Sequence, residues 1–175
     1  WLLDQYGIEI IRDWGLFDSL NGLRWVRGLW TLSQLRAVQR AVTGFAAKLA
    51  GTEDPEVNAG VFNAVLGVQR IKVRRERVDK DYPTTKGVMD GIDTMILYDP
   101  AFSRPWSDPP GLTVVHELAH FWDNASGQAL EANIDTYTGL EARPTWYSWT
   151  NANQHFAETA AFWVCMPDKL GPRHQ

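Results

Sequence analysis

The 175-residue sequence holds a single cysteine, Cys165, so it carries no internal disulfide framework. That scarcity leaves the compartment open, since secreted proteins can also lack disulfides, and a secreted or extracellular setting is preferred to a cytoplasmic one. There is no run of some 18 apolar residues, so no membrane span is expected. Positive charge is not in excess: 17 Lys and Arg stand against 21 Asp and Glu, for a net charge of -4 and a pI near 5.5. That balance argues against a nucleic-acid partner. Internal repeats and low-complexity tracts are also missing. The chain opens at Trp1 rather than Met, as expected of a fragment or a processed protein from which a targeting segment can be missing.

What remains is an ordinary globular composition, 45% hydrophobic and 22% charged, expected to form one domain over residues 1–175. Nine Trp are many for this length and suggest a dense core, or an aromatic-lined groove. Leu2, Leu3, Tyr6, Ile10, Ile11 and Trp14 have helical spacing, so residues 1–30 read as a helical extension with turns at Gly7, Gly15, Gly22 and Gly28. A firmer helix is expected over 32–50, capped by Thr31 or Ser33, striped by Leu35, Val38, Val42, Phe45 and Leu49, and stopped by Gly51. Residues 52–60 read as a loop or helical turn. Alternation from Val65 to Val78 suggests a strand, and Ile92–Tyr98 a second one ended by Asp99-Pro100. Residues 79–87 look turn-rich and 100–111 extended. A helix starts near Gly111–Thr113, residues 124–151 are mixed and include loop, and a last helix runs from about Asn151 to Cys165 before Pro167. Arg70, Lys72, Arg74, Arg75 and Arg77 form a basic cluster, more simply a solvated strand face than a phosphate-binding patch.

The chemistry sits in VVHELAHFWD. Positions four apart share one helix face, so His116 and His120 can aim two imidazoles at one divalent metal, most naturally Zn²⁺. Glu117, beside the first imidazole, can take a proton from a water at the remaining position. Val114, Val115, Leu118 and Phe121 make the helix apolar, and unpaired His and Glu on a buried helix would be costly. A third ligand is required, and Gln154 and Glu158, four apart on the last helix, are the candidates. Asp123 fits an acceptor for a ligand His, or equally a polar helix end. His155 lies about 100° around the helix from Gln154 and reads as structural.

HELAHFWD followed by Tyr147, Thr150-Asn151 and HFAET resembles the gluzincin metallopeptidases, closest to the branch with anthrax-toxin lethal factor and the Pro-Pro endopeptidases, over roughly residues 85–165. The resemblance implies an α+β zincin-like fold: a small twisted sheet and helices in an upper lobe (31–123) that includes the active-site helix, and a helical lower lobe (124–175). It also implies hydrolysis of a peptide or protein substrate, an upstream strand, matched here by Ile92–Tyr98, that pairs with the substrate, and a catalytic Tyr matched by Tyr147. In those relatives the last helix carries Glu-x-x-Ala-acid, the Glu binding zinc and the acid supporting a ligand His. On this chain Ala157 matches the Ala, Glu158 falls at the supporting acid, and Gln154 occupies the ligand position. Glu158 can instead bind zinc through a one-turn shift, and coordination chemistry prefers it as the only carboxylate on that face. Gln154 can ligate weakly through its amide oxygen. Otherwise the site is decayed, and the domain is a catalytically weak or silent binding module. The oligomeric state is not readable.

Overall fold

The computed structural model describes residues 1–12, 29–67, 70–76, 79, 81–103, 109, 111–138 and 142–172. Among these, the chain forms α1 (Leu2–Tyr6), β1 (Ile8–Ile10), α2 (Leu32–Ala50), α3 (Pro55–Leu66), β2 (Ile71–Arg75), β3 (Gly87–Asp90), β4 (Thr94–Leu97), α4 (Leu112–Ala125), α5 (Ala129–Thr138) and α6 (Ala152–Cys165). The architecture is α+β, with helices packed on a small mixed sheet. The sheet order is β1-β2-β4-β3, with β1, β2 and β4 mutually parallel along the sheet and β3 antiparallel to β4.

Local chemistry sets the helix ends. Thr31 and Gln34 close a capping box on α2, and Gly51 ends it in the left-handed region at φ 65°. Asp54 accepts from the backbone N–H groups of Glu56 and Val57 to start α3, where Pro55 sits in the first turn. Gly111 opens α4 at φ 109°, and a Cβ there would lie 3.1 Å from Ala41 Cβ and 3.3 Å from the Ala37 carbonyl. Only glycine meets both demands, so α4 can begin tight against α2. The main core joins Val38 and Phe45 of α2, Phe62 of α3, Met95 and Leu97 of β4, and Leu118 of α4. A second cluster packs Ala119 of α4 and Ile134 of α5 against Phe156, Ala157 and Ala160 of α6. The α4 helix therefore contributes to both clusters, and its polar HELAH face is held between them and the β3 edge.

Several expectations change. The helix at the N-terminus ends at Gly7, and Ile10 lies on a strand: Gly7 adopts φ 64° and redirects the chain into parallel pairing of Ile8 with Ile71. The proposed continuation to Trp14, with Gly15, Gly22 and Gly28, falls outside the described residues, as do Val68, Arg77 and Val78. The expected strand over 65–78 shrinks to Ile71–Arg75, because Val65 and Leu66 finish α3. Residues 52–60 mostly enter that same helix. Ile92–Tyr98 shrinks to Thr94–Leu97 and is interior, flanked by β2 and β3, so it presents no free edge for a substrate. Among the described residues the antiparallel edge is β3, which begins at Gly87, the end of the stretch read as turn-rich, and runs through residues 88–90, which carried no assignment. A further helix, α5, occupies part of the segment expected to include loop.

Candidate metal centre

The buried face of α4 presents His116, Glu117 and His120. His116 Nε2 and His120 Nε2 stand 3.2 Å apart, with ring centroids 4.8 Å apart and planes at 83°. Two imidazole nitrogens bound to one tetrahedral zinc are separated by roughly 3.3 Å, given zinc–nitrogen bonds of about 2.0–2.1 Å. The rings are thus at the spacing that a shared cation needs; the same approach is a hydrogen bond when one ring donates. Burial, with help from neighbouring His116 and against the pull of Glu158, lowers the His120 pKa to about 3. His120 is consequently neutral near pH 7, the form that binds metal. For His116, burial works downward but is outweighed by Glu158, Glu117 and Gln154, and the net shift is upward.

Glu117 lies under the β3 edge. A Cβ on Gly87 would come within 2.8 Å of both Glu117 Oε1 and Thr113 Cγ2, so the strand reaches the carboxylate only because residue 87 has no side chain. The Met89 backbone N–H donates to the same carboxylate. Burial, with a contribution from Glu158 and against His116 and Met89, raises the Glu117 pKa to about 7. Tyr147 begins the 3-10 turn Tyr147–Trp149, its ring 6.0 Å from the His116 ring and tilted by 35°. Burial and the charges of Glu117 and Glu158 push its pKa up, so its phenol remains a hydrogen-bond donor.

The last helix supplies Gln154 and Glu158. Asn151 caps α6 by accepting from the Gln154 backbone N–H at 2.8 Å. Gln154 Oε1 is buried and has no aligned hydrogen-bond partner among the described residues. Glu158 Oε1 lies 2.9 Å from His116 Nδ1, the ring nitrogen other than the one that meets His120. The distance is that of an ion pair, although Nδ1 has no hydrogen-bond partner of good alignment. Thr145 Oγ1 donates to Glu158 Oε2 at 2.7 Å. Burial would raise the Glu158 pKa, but His116, Thr145 and the more distant Lys86 bring it below its ordinary value.

The donor atoms available to a divalent ion are the imidazoles of His116 and His120, at the spacing a shared cation needs, with the buried Gln154 amide oxygen and the Glu158 carboxylate, both beside His116, as candidates for a third. Among the described residues no group of three His, Cys, Asp or Glu side chains is placed to hold a metal. Asp123 is fully buried but faces away from this chemistry: its Oδ1 accepts from the backbone N–H groups of Leu130 at 3.0 Å and Glu131 at 2.9 Å, tying α5 to the end of α4. Of the two readings of Asp123, the polar helix end matches this capping. His155 is buried with Nδ1 2.8 Å from Asp135 Oδ1. In the basic cluster, Arg70 pairs with Glu9 at 2.5 Å, Lys72 with Asp93 at 2.7 Å, Arg74 with Glu76 at 3.3 Å, and Arg75 with Asp99. Sequence reasoning did not single out Gly87, the Met89 N–H or Thr145. Gly87 and Met89 act from a strand with no period-2 signature, and Thr145 reaches Glu158 only through the path of the loop.

No family model and no curated protein matches the chain. Among solved structures, it is similar to the 2.10 Å crystal structure of a protein from Bacteroides caccae ATCC 43185 inferred to be a zinc-binding metallo-peptidase. The identity is 13% and the TM-score 0.44, over 96% of this chain and 71% of that one. Residue roles therefore rest on the chain's own geometry.

Proposed function

We propose that this chain is a zinc-dependent peptidase in which His116, His120 and Gln154 hold the metal. The observation that carries this reading is the 3.2 Å approach of the two Nε2 atoms, with a buried amide oxygen on the facing helix, beside His116, that makes no well-aligned hydrogen bond. Gln154 is preferred to Glu158 as third ligand because Glu158 lies against Nδ1 of His116. There its carboxylate, 2.9 Å from Nδ1, is placed to orient the ligand imidazole, a role that outer carboxylates commonly play. Thr145 in turn fixes the Glu158 carboxylate.

When bound, zinc supplies Lewis-acid polarisation of a substrate carbonyl and makes water a better nucleophile near neutral pH. Glu117 takes the water's proton at its carboxylate and passes it to the departing amine. Burial of its carboxylate favours uptake of a proton. Tyr147 donates its phenolic O–H to the oxygen on which negative charge develops. The free edge of β3 offers main-chain hydrogen bonds to an extended peptide. Glu117→Gln keeps the shape of the site and removes the base. It is expected to retain zinc while losing at least about 100-fold in turnover, the lower range for general-base catalysis. Parent-like turnover in that variant would refute the mechanism.

A second reading is favoured by one observation, the neutral amide of Gln154 where a carboxylate would balance the ion's charge. In that case the domain binds metal and a partner peptide without cleaving it. Zinc content measured beside cleavage of a mixed peptide library separates the two: full occupancy with no cleavage selects the binding module.

A further inference from the structure

One guanidinium gathers the elements around the lower side of this site. Arg143 precedes the Tyr147–Trp149 turn. Its Nη1 donates to the Ser148 carbonyl at 2.6 Å, and its Nη2 donates to both carboxylate oxygens of Asp135, on α5, at 2.9 and 3.1 Å. The guanidinium also lies over the Trp149 ring, 4.8 Å from its centroid. Asp135 Oδ1 is shared with His155 Nδ1 at 2.8 Å, and His155 is the buried neighbour of Gln154 on α6. The turn adds its own closure, since Ser148 is fully buried and its Oγ donates to the Thr145 carbonyl. Tyr147 itself is half exposed, at 53%, and Trp146 and Trp149 beside it are exposed as well. These three aromatic side chains have little burial to hold them. The placement of Tyr147 beside His116 must therefore come largely from the turn's backbone.

We infer that Arg143 is the positioning residue that locks the Tyr147 turn over His116, by clamping the Ser148 carbonyl and Trp149 to the Asp135–His155 pair. The geometry demands an arginine. A planar fork satisfies the Ser148 carbonyl and Asp135 in different directions while its face covers an indole. A lysine ammonium is a point charge on a flexible stem and cannot do all three. Asp135 must in turn be ordered, which His155 secures from α6. The turn bearing Tyr147 and the helix bearing Gln154 are therefore referenced to the same carboxylate. As a statement about catalysis the inference rests on the peptidase reading; as a statement about the order of the turn it does not.

The test compares Arg143→Lys with the parent by backbone amide hydrogen exchange and by kinetics. The Trp149 and Thr150 amides, which donate to the Trp146 and Tyr147 carbonyls at 3.1 and 3.0 Å, report the turn. In Arg143→Lys their exchange should rise at least about tenfold. Exchange across α4 and zinc content should stay as in the parent. Asp135→Asn, which keeps the side chain's shape, should give the same localised change at smaller size. With a cleaved peptide, kcat should fall more than KM changes, and adding Arg143→Lys to Tyr147→Phe should cause no further loss. Unchanged exchange in the turn, a rise spread equally over α4 and α6, or multiplying kinetic losses would each overturn the clamp. If the parent cleaves nothing, the peptidase reading fails while the exchange comparison still decides the clamp.

Discussion

At the scale of single residues, the proposed metal centre turns on which oxygen of α6 would meet the ion. Gln154 Oε1 is buried without an aligned partner, whereas Glu158 is engaged at both oxygens, by His116 and by Thr145. Two substitutions separate the roles. Gln154→Glu adds a full negative charge at the ligand position and should tighten zinc binding by at least about tenfold, since changes to outer partners alone already move affinity by about 10–100-fold. Glu158→Gln should weaken it only within that range, by letting the His116 ring turn. Chelator competition measures both. If Glu158→Gln abolishes binding and Gln154→Glu leaves it unchanged, Glu158 is the ligand and the assignment reverses. The local sequence left both options open for a physical reason. Helical spacing places residues 154 and 158 on one face, but the choice depends on the rotation of α6 against α4, and that rotation is set by packing of Phe156, Ala157 and Ala160 around Ala119 and Ile134.

At the scale of elements, β3 and α4 are joined where a side chain is missing. Gly87 allows the edge strand to approach Thr113 and Glu117 closely enough for the Met89 N–H to reach the carboxylate. Gly87→Ala inserts a methyl 2.8 Å from Glu117 Oε1 and Thr113 Cγ2, so the carboxylate, the strand or both must move. Overpacking of this kind costs about 1–3 kcal/mol. The variant should show a lowered Tm together with loss of turnover and undiminished zinc content. Parent-like values of Tm and turnover would mean that the strand's approach to Glu117 is incidental. These elements also mark how much was legible. The α2 helix, with its Thr31 cap, Gly51 stop and long apolar stripe, carries its whole signal locally, and so do the HELAH helix and the Asn151-capped α6. The short strands do not. Ile8–Ile10 and Gly87–Asp90 are three and four residues long, and each becomes a strand only through a partner distant in sequence, Ile71–Val73 or Thr94–Leu97. The family resemblance implies a substrate-pairing strand at Ile92–Tyr98, the run legible upstream of the HELAH helix, but that strand lies inside the sheet.

At the scale of the whole molecule, the centre is a bridge between helices that already pack together. His116 and His120 come from α4, which contributes to both the main core and the smaller one, while Gln154 and Glu158 come from α6. On the metal-binding reading, an ion at their junction would hold the folded arrangement and have no equivalent site in the unfolded chain, so binding would add to stability by mass action. Zinc at 100 times its dissociation constant contributes about 2.7 kcal/mol. In a domain of this length that corresponds to a rise in Tm of roughly 5–11 °C, at about 2–4 °C for each kcal/mol. Adding a chelator should lower Tm by that amount, and the shift should grow with the logarithm of free zinc in titrations back. His120→Ala removes a ligand, so its Tm should be insensitive to both additions even if its baseline differs. This measurement needs no substrate and no turnover, and it applies equally to a peptidase and to a silent binding module. Identical melting with and without chelator, in protein prepared with zinc present, would remove the metal from the site and leave the two imidazoles as a hydrogen-bonded pair within the core.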